Sequence, residues 1–325
     1  KCSNSFRVQI LLNANNNFIL PPHRKSQMGC STKSIGRHIQ TLIFISILHQ
    51  SLAIVPPSKT FTLVNNGRFS KYTAEFFSKY RALPISSFPF RLCFYSNTIN
   101  AFTLSIGMGD TNSELGMKWI WDFNRGRPVR ENATVSFGQD GNLVLRDSDN
   151  TVAWQSGTSN MGVVDLILQP NGNLVLTDAK GQSVWQSFEF LRDSLLPGQY
   201  LLANGSNKLI SRVSDDDGSD GPYSFRMQND SFYYFYGKSS QYYRKECGNV
   251  KTTDNATLTI TIDSATKEAY DVTFPFLVQF KPKLNWTYSF YRLESTGNLV
   301  MYFFTHLNSE PWEPKYPPPY TNLFD

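Results

Sequence analysis

After residue 53, apolar and polar positions alternate in short runs that Gly, Asn, Asp and Ser interrupt. The runs are rich in Val, Ile, Thr, Phe and Tyr and lack the 3.6-residue apolar period of an amphipathic helix. We therefore predict an all-β protein. The clearest predicted strands are TFTLV (60–64), FRLCFY (90–95), FTLSI (102–106), TLTITI (257–262), TYSFYRL (287–293) and NLVMYFF (298–304).

A repeated block is the most informative feature of the predicted strands. GQDGNLVLRDSDNTVAWQS (138–156) returns 31 residues later as QPNGNLVLTDAKGQSVWQS (169–187), and each copy predicts a strand, a polar turn and a returning strand. Trp121 lies 33 residues before Trp154 and marks a third, more diverged unit. Such thin sheets cannot each bury a face alone. We therefore predict three sheets around one core, into which Trp121, Trp154 and Trp185 point.

Charge is unevenly distributed along the chain. The 325 residues carry a net charge of +5, but residues 1–53 hold six basic and no acidic residues, which leaves 25 basic and 26 acidic residues, a net of −1, in the remainder. That remainder has no basic stripe of the kind that a phosphate backbone requires. We therefore predict no nucleic-acid partner.

Residues 28–53 have the order of a secretory signal peptide. Lys33 and Arg37 precede the apolar run Leu42–Leu48, and the small residues of SLA (51–53) follow it. The apolar run is too short to span a bilayer. We predict a signal peptide at 28–53, an upstream extension at 1–27 that precedes a natural start at Met28, and no membrane span in the mature chain.

Glycosylation sequons and cysteines fit an extracellular protein. Of the four cysteines, Cys93 and Cys247 follow the leader, and either a disulfide between them or two free buried thiols is compatible with the sequence. Five Asn-x-Ser/Thr sequons also follow the leader, so we predict a secreted N-glycoprotein. The sequons begin at Asn132, Asn204, Asn229, Asn255 and Asn285.

Taken together, the segments 119–145, 154–176 and 184–188 resemble the plant bulb-type lectin domain, and most closely that of the epidermis-specific secreted glycoproteins. PFRLCFY, NAFTL and DGPYSF fit the same subfamily, so the resemblance covers about residues 56–312. It implies tandem β-prism II domains with an internal three-fold pseudo-repeat, mannose-type sugar binding and no catalysis. We expect a first lectin domain at 54–195, a second, diverged one at 196–312, and a loose Pro-rich tail at 313–325. The subfamily commonly continues into a cysteine-rich segment and an apple-like domain, neither of which lies in this sequence.

The family's sugar-binding motif is Gln-x-Asp-x-Asn-x-Val-x-Tyr. Alternate residues of a strand point to one face, so the motif forms a row of donors and acceptors for sugar hydroxyls, with Val against the ring. Three segments align with the motif and all are degenerate. Row 1 is Gly138, Asp140, Asn142, Val144 and Arg146; row 2 is Gln169, Asn171, Asn173, Val175 and Thr177; row 3 is Glu294, Thr296, Asn298, Val300 and Tyr302.

The residues that the rows share allow two interpretations. The Asn and the Val occur in all three rows, and a structural role is favoured for both, with Asn bonded to the backbone near a turn and Val in the core. Asp140 has no obvious core role, which makes it the best candidate sugar contact, and Gln169 is the second.

Enzymatic activity is not predicted. His306 is the only histidine after residue 53, which leaves a histidine metal cluster or a Cys–His nucleophile without support. The acidic segments DSDN (147–150) and DDDG (215–218) have the composition of solvated turns. We predict no catalytic residues, no metal and no cofactor.

The function that the sequence favours is therefore a secreted, lectin-like glycoprotein of the cell wall or apoplast. Its predicted partners are mannose-type glycans or wall polysaccharides, bound through degenerate sites. The alternative is a structural wall glycoprotein that binds no sugar and has other wall or cell-surface proteins as partners. The aromatic segment SFYYFYGKSSQYY (231–243) fits either a binding face or an ordinary strand with a buried side.

Overall fold

The structure is a computed structural model. Its described residues form β-strands and three short 3₁₀ turns, at Pro57–Lys59, Glu75–Phe77 and Ser187–Glu189. The prediction of an all-β fold is confirmed. The predicted upstream extension and signal peptide lie outside the described residues. These are residues 54–202, 205–228, 231–238, 240–246, 256–257, 259–262, 269–273, 286–305 and 312–315.

Three antiparallel sheets make up the first half of the described chain. The first contains β2 (Lys79–Ser87), β3 (Phe90–Thr98), β4 (Ala101–Gly109) and β5 (Met117–Asp122), in that order. The second has the order β1 (Phe61–Val64), β6 (Thr134–Phe137), β7 (Leu143–Arg146) and β8 (Val152–Gln155). The third has the order β11 (Ser183–Gln186), β10 (Leu174–Asp178) and β9 (Val163–Leu168).

The three sheets share one core, and the last strand of each contributes a tryptophan to it. The ring centroids of Trp121, Trp154 and Trp185 lie 6.2, 6.0 and 5.7 Å apart in edge-to-face contacts. Such pairs contribute roughly 0.5–1.5 kcal/mol each beyond the burial of their area. The predicted three-sheet prism with inward tryptophans is confirmed.

The two copies of the repeat have the same register. Val144 pairs with Gln155 and Leu145 with Trp154, and a bulge follows Leu145. In the second copy Leu176 pairs with Trp185, and the bulge follows at the equivalent position. Both copies therefore place the tryptophan opposite the same leucine, directly before the bulge.

The second half of the chain adds two four-stranded sheets and two ribbons. One sheet has the order β12 (Ser194–Leu195), β21 (Trp286–Leu293), β22 (Leu299–Thr305) and β23 (Trp312–Lys315). The other contains β14 (Leu209–Arg212), β15 (Asp220–Gln228), β16 (Ser231–Tyr236) and β17 (Ser240–Glu246). The ribbons pair β13 (Tyr200–Leu201) with β18 (Ala256–Thr257) and β19 (Thr259–Ile262) with β20 (Ala269–Thr273).

The two halves share buried contacts. Phe290 and Trp312, on β21 and β23, belong to the same buried cluster as the tryptophan core of the first half. The start of the segment predicted as a loose tail is therefore ordered, because residues 313–315 lie in β23, while 316–325 lie outside the described residues. The division into two lectin domains at 195/196 stays a prediction.

A buried ionic network also joins the halves. The Glu75 carboxylate accepts hydrogen bonds from Arg292 Nη1 and from Lys118 Nζ, both at 2.6 Å. Burial alone would raise the pKa of Glu75, but the two cations outweigh burial and lower that pKa to about 2. Arg212 forms a similar buried pair with Asp122 at 2.7 Å. Both pairs link a residue near or on the first sheet to a strand of the second half.

The state of Cys93 decides between the two alternatives that the sequence left open, a disulfide with Cys247 or a free buried thiol. Cys93 is a free thiol, fully buried on β3 beside Tyr80, Tyr95 and Trp119, so the Cys93–Cys247 disulfide is not formed in this structure. Burial raises the pKa of the Cys93 thiol to about 12, which keeps it protonated and unreactive. Cys247 lies outside the described residues.

Candidate carbohydrate site

All three candidate rows begin with the same tight turn. The backbone N–H of the first row residue donates to the carbonyl of the central Asn, at 3.3 Å in row 1 and 2.8 Å in rows 2 and 3. The glycine before each Asn has a positive φ, +79° at Gly141, +89° at Gly172 and +86° at Gly297. A residue with a Cβ is strained there. The aligned segments are thus one structural unit repeated on β7, β10 and β22, on three different sheets.

The central Asn of rows 1 and 2 is a structural clamp. Asn142 Oδ1 accepts hydrogen bonds from Ser156 Oγ at 2.9 Å and from the backbone N–H groups of Gly157 and Thr158 at 3.0 and 3.2 Å. Its Nδ2 donates to Gln155 Oε1 at 3.1 Å. The side chain is 8 % exposed and its carbonyl is already engaged three times.

Asn173 repeats this arrangement in row 2. Its Nδ2 donates to Gln186 Oε1 at 2.8 Å, and its Oδ1 accepts from Ser187 Oγ at 3.2 Å. Ser187 Oγ in turn accepts from the N–H of Leu174 at 2.9 Å. The repeated Trp-Gln-Ser therefore delivers a core tryptophan and two hydrogen-bond partners for the Asn. Sequence reasoning missed the Gln and the Ser, although their repetition at a constant distance was the available signal.

The shared valines are buried. Val144, Val175 and Val300 are 8 %, 3 % and 2 % exposed. They are not part of the tryptophan-core cluster, which in rows 1 and 2 contains the leucines on either side of the valine, so in those rows the valine is buried on the opposite face of its strand.

The Asp position of the motif caps the turn. Asp140 is exposed, and its carboxylate accepts from the Asn142 N–H at 3.2 Å and from Ser159 Oγ at 2.7 Å. Asn171 accepts from the Asn173 N–H at 3.1 Å in the same way. Gln169 is half-buried, and within the described chain its side chain forms no hydrogen bond. Asp140 and Gln169 thus keep lone pairs or donors that a ligand can reach.

Row 3 differs because its polar groups face one another. Tyr302 donates its hydroxyl to Glu294 Oε1 at 2.7 Å, and the Lys118 ammonium lies 4.1 Å from the Tyr302 ring centroid. Burial raises the pKa of Glu294, although the charge of Arg292 opposes the rise. Asn298 Oδ1 is buried without a hydrogen-bond partner among the described residues. The central Asn of row 3 therefore retains an unused carbonyl, whereas the carbonyls of Asn142 and Asn173 are engaged.

The remaining predicted sites are only partly described. Asn132 is exposed in a turn, which makes its amide accessible to glycosylation. Asn204, Asn229, Asn255 and Asn285 lie outside the described residues. The aromatic segment at 231–243 forms β16 and part of β17, and Phe232 and Tyr234 on β16 are buried.

Sites of other kinds are not found in the described part of the chain. No group of three or more His, Cys, Asp or Glu side chains there is arranged to hold a metal ion. No helix of those residues has the length and apolar character needed to cross a membrane.

Comparison with known proteins finds similarity to lectins and to lectin-like glycoproteins. A family model described as D-mannose binding lectin matches residues 118–214, which include rows 1 and 2. A monomeric mannose-binding lectin from Gastrodia elata is 22 % identical, with 40 % of this chain and 96 % of that one covered and a TM-score of 0.23.

Two curated relatives are similar over longer stretches. The epidermis-specific secreted glycoprotein EP1 of Daucus carota is 40 % identical over 305 residues, which cover 86 % of this chain and 78 % of the carrot protein. The EP1-like glycoprotein 2 of Arabidopsis thaliana is 53 % identical over 178 residues, 53 % of this chain and 39 % of its own length. The chain therefore belongs to the family of EP1-type glycoproteins, which carry a plant bulb-type lectin domain.

Proposed function

We propose that this chain is a secreted glycoprotein of the cell wall or apoplast that recognises mannose-type glycans through degenerate bulb-lectin rows. The supporting observation is that rows 1, 2 and 3 keep one turn-and-strand geometry on three sheets. The description of the matching family model, D-mannose binding lectin, and the name of the carrot relative, a secreted glycoprotein, also support the proposal.

The groups available to a sugar differ between rows. The clamp uses the amides of Asn142 and Asn173, so in rows 1 and 2 binding depends on Asp140 and Gln169. In row 3 it depends on the exposed Thr296, because the unpaired carbonyl of Asn298 is buried. Each site offers few hydrogen bonds, at about 1 kcal/mol each, so affinity per site is weak and multivalent ligands are favoured.

A glycan array probed with the full chain, expressed in plant cells and collected as glycoprotein, tests this proposal, with calorimetry on any hit. The test variant combines Asp140→Asn with Gln169→Ala. Asp140→Asn keeps the turn acceptor, as Asn171 does in row 2, while it removes the carboxylate. We expect at least a tenfold loss of affinity for mannose-type glycans, because a hydrogen bond to a charged group contributes about 1.5–3 kcal/mol.

Lys180→Ala is the matched control, because Lys180 is exposed in the turn between β10 and β11, at the other end of β10 from the row 2 turn. Its affinity should equal that of the wild type. Unchanged binding in the Asp140/Gln169 variant would remove rows 1 and 2 from the proposal.

The second candidate function is a wall glycoprotein that binds no sugar. The hydrogen bonds of Asn142 and Asn173 favour it, because both side chains bond to other residues of the chain and stabilise the fold without a ligand. An array without any hit would support this alternative.

A further inference from the structure

A cavity of about 490 Å³ lies away from all three rows, on the surface of the first sheet. Its volume is within the range of roughly 300–1,000 Å³ found for small-ligand sites. We call it the Phe77 pocket. It is lined by Phe69, Phe77, Lys79, Ser96, Asn97, Thr98, Ile99, Asn100, Phe102 and Glu131.

The pocket presents an aromatic ring to solvent. Phe77 is 77 % exposed, whereas Phe69 is 39 % exposed and stacks on the buried Phe102 at 6.2 Å. The Arg81 guanidinium lies 4.1 Å from the Phe69 ring centroid, and this cation–π contact helps to hold the ring in place. One wall is therefore rigid and the Phe77 ring stands free beside it.

The backbone holds Phe77 in this exposed position. Phe76 and Phe77 have φ values of 60° and 52°, which are unfavourable for bulky residues. The residues on both sides are anchored, because Glu75 is paired with Arg292, and Ser78 Oγ accepts from Trp119 Nε1 at 3.0 Å. Strain of this kind persists only where the surroundings impose it, and it clusters at ligand sites.

The polar lining favours a neutral ligand. Lys79 Nζ lies 6.0 Å from the Phe69 ring centroid and makes no hydrogen bond or ion pair with the described residues, so its N–H groups can donate to a ligand. Glu131 is 42 % exposed and uses each carboxylate oxygen once, towards Arg81, so both oxygens can accept again. An anion would meet the Glu131 charge and a cation the Lys79 charge. A hydroxylated ring can donate to the first and accept from the second.

We propose that the Phe77 pocket is a second carbohydrate site, which takes one pyranose ring of a neutral saccharide. The apolar C–H face of the ring stacks on Phe77, and its hydroxyl edge bonds to Lys79 and Glu131. The proposal shares the ligand class of the proposed function but uses none of its residues.

Saturation-transfer NMR on the full glycosylated chain tests the site. The neutral probe is cellotetraose, which contains no mannose and so differs from the ligand proposed for the rows, and trigalacturonic acid is the anionic probe. The variant is Phe77→Asn, because Asn tolerates the left-handed φ and lacks the ring. Val213→Ala is the control, since Val213 is 46 % exposed and lies outside the pocket.

We expect Phe77→Asn to weaken the binding of a neutral probe at least tenfold, and Val213→Ala to leave it unchanged. The Asp140/Gln169 variant should keep this binding, which separates failure of the rows from failure of the pocket. Equal affinity in wild type and Phe77→Asn would overturn the proposal. Preference for the anionic probe, or no saturation transfer to cellotetraose, would overturn it too.

Discussion

At the residue scale, Asn142 and Asn173 use in the fold the side-chain atoms that the family's sugar-binding motif assigns to a ligand. In each, the side-chain carbonyl accepts two or three hydrogen bonds from the Ser of Trp-Gln-Ser and from the backbone N–H groups that follow it. The repetition of Asn, Gln and Ser in both copies is thus accounted for by the fold alone. Asp140 and Gln169 lie at the surface of the same units and are not needed for the clamp.

We predict that Asn142→Ala lowers the free energy of unfolding by about 1–3 kcal/mol, because it leaves the N–H groups of Gly157 and Thr158 without their acceptor. Asp140→Asn is the matched control and should stay within about 0.5 kcal/mol of the wild type. Urea unfolding followed by tryptophan fluorescence measures both. Wild-type stability in Asn142→Ala would show that the Asn is dispensable for the fold.

At the scale of elements, the hairpins of the prism depend on one glycine turn. A Cβ on Gly172 would lie 2.7 Å from Phe90 Cε1 and 2.9 Å from Leu196 Cδ2, and the φ of +89° strains any other residue. The turn therefore positions the row and packs the hairpin on the first sheet. Gly181, in the turn at the other end of β10, has a φ of +76° with no atom within 4 Å of its would-be Cβ.

The comparison of these two glycines is a second prediction. Gly181→Ala introduces only the backbone strain, at roughly 1–2 kcal/mol, whereas Gly172→Ala adds a packing clash of about 1–3 kcal/mol. We expect thermal unfolding to give a larger decrease in melting temperature for Gly172→Ala. Equal decreases would mean that the close approach to Phe90 and Leu196 relaxes freely.

At the scale of the whole molecule, buried ion pairs hold distant parts of the chain together. Glu75 and Arg292 are separated by 217 positions in sequence, yet their atoms lie 2.6 Å apart, and Arg292 Nη2 also donates to the Trp119 carbonyl at 2.6 Å. Removing one partner of a buried pair leaves a charge uncompensated, which costs about 3–5 kcal/mol.

This pairing predicts a dependence of stability on pH. The pKa of Glu75 is lowered from 4.5 to about 2 in the folded chain. Its contribution is therefore complete above the unfolded value and is lost as the pH falls through the folded one. We expect Glu75→Gln to be less stable than the wild type at pH 7, with a smaller loss of stability between pH 4.5 and 2.

Urea unfolding at a series of pH values measures this difference, and Glu189→Gln is the control because Glu189 is exposed. The control should retain the wild-type slope. Parallel pH profiles for wild type and Glu75→Gln would mean that Glu75 is not the group responsible.

The sequence by itself determined the strands, the three-fold repeat and the tryptophan core. These follow from local apolar alternation, turn glycines and spacings of 33 and 31 residues between the three tryptophans. The family motif likewise located the three rows, because the motif is contiguous on one strand. Each of these features depends on residues that are close in sequence, so their pattern can be read without knowledge of the long-range contacts.

Only the tertiary structure decided which side chains far apart in sequence come into contact. It placed Cys93 as a free thiol in an apolar cluster and brought Arg292 to Glu75. It also assembled the Phe77 pocket from three separate segments, 69–79, 96–102 and 131. The physical reason is that hydrogen bonds, ion pairs and cavities depend on distances between strands that pair or pack across the sheets. A single sequence contains no record of those distances.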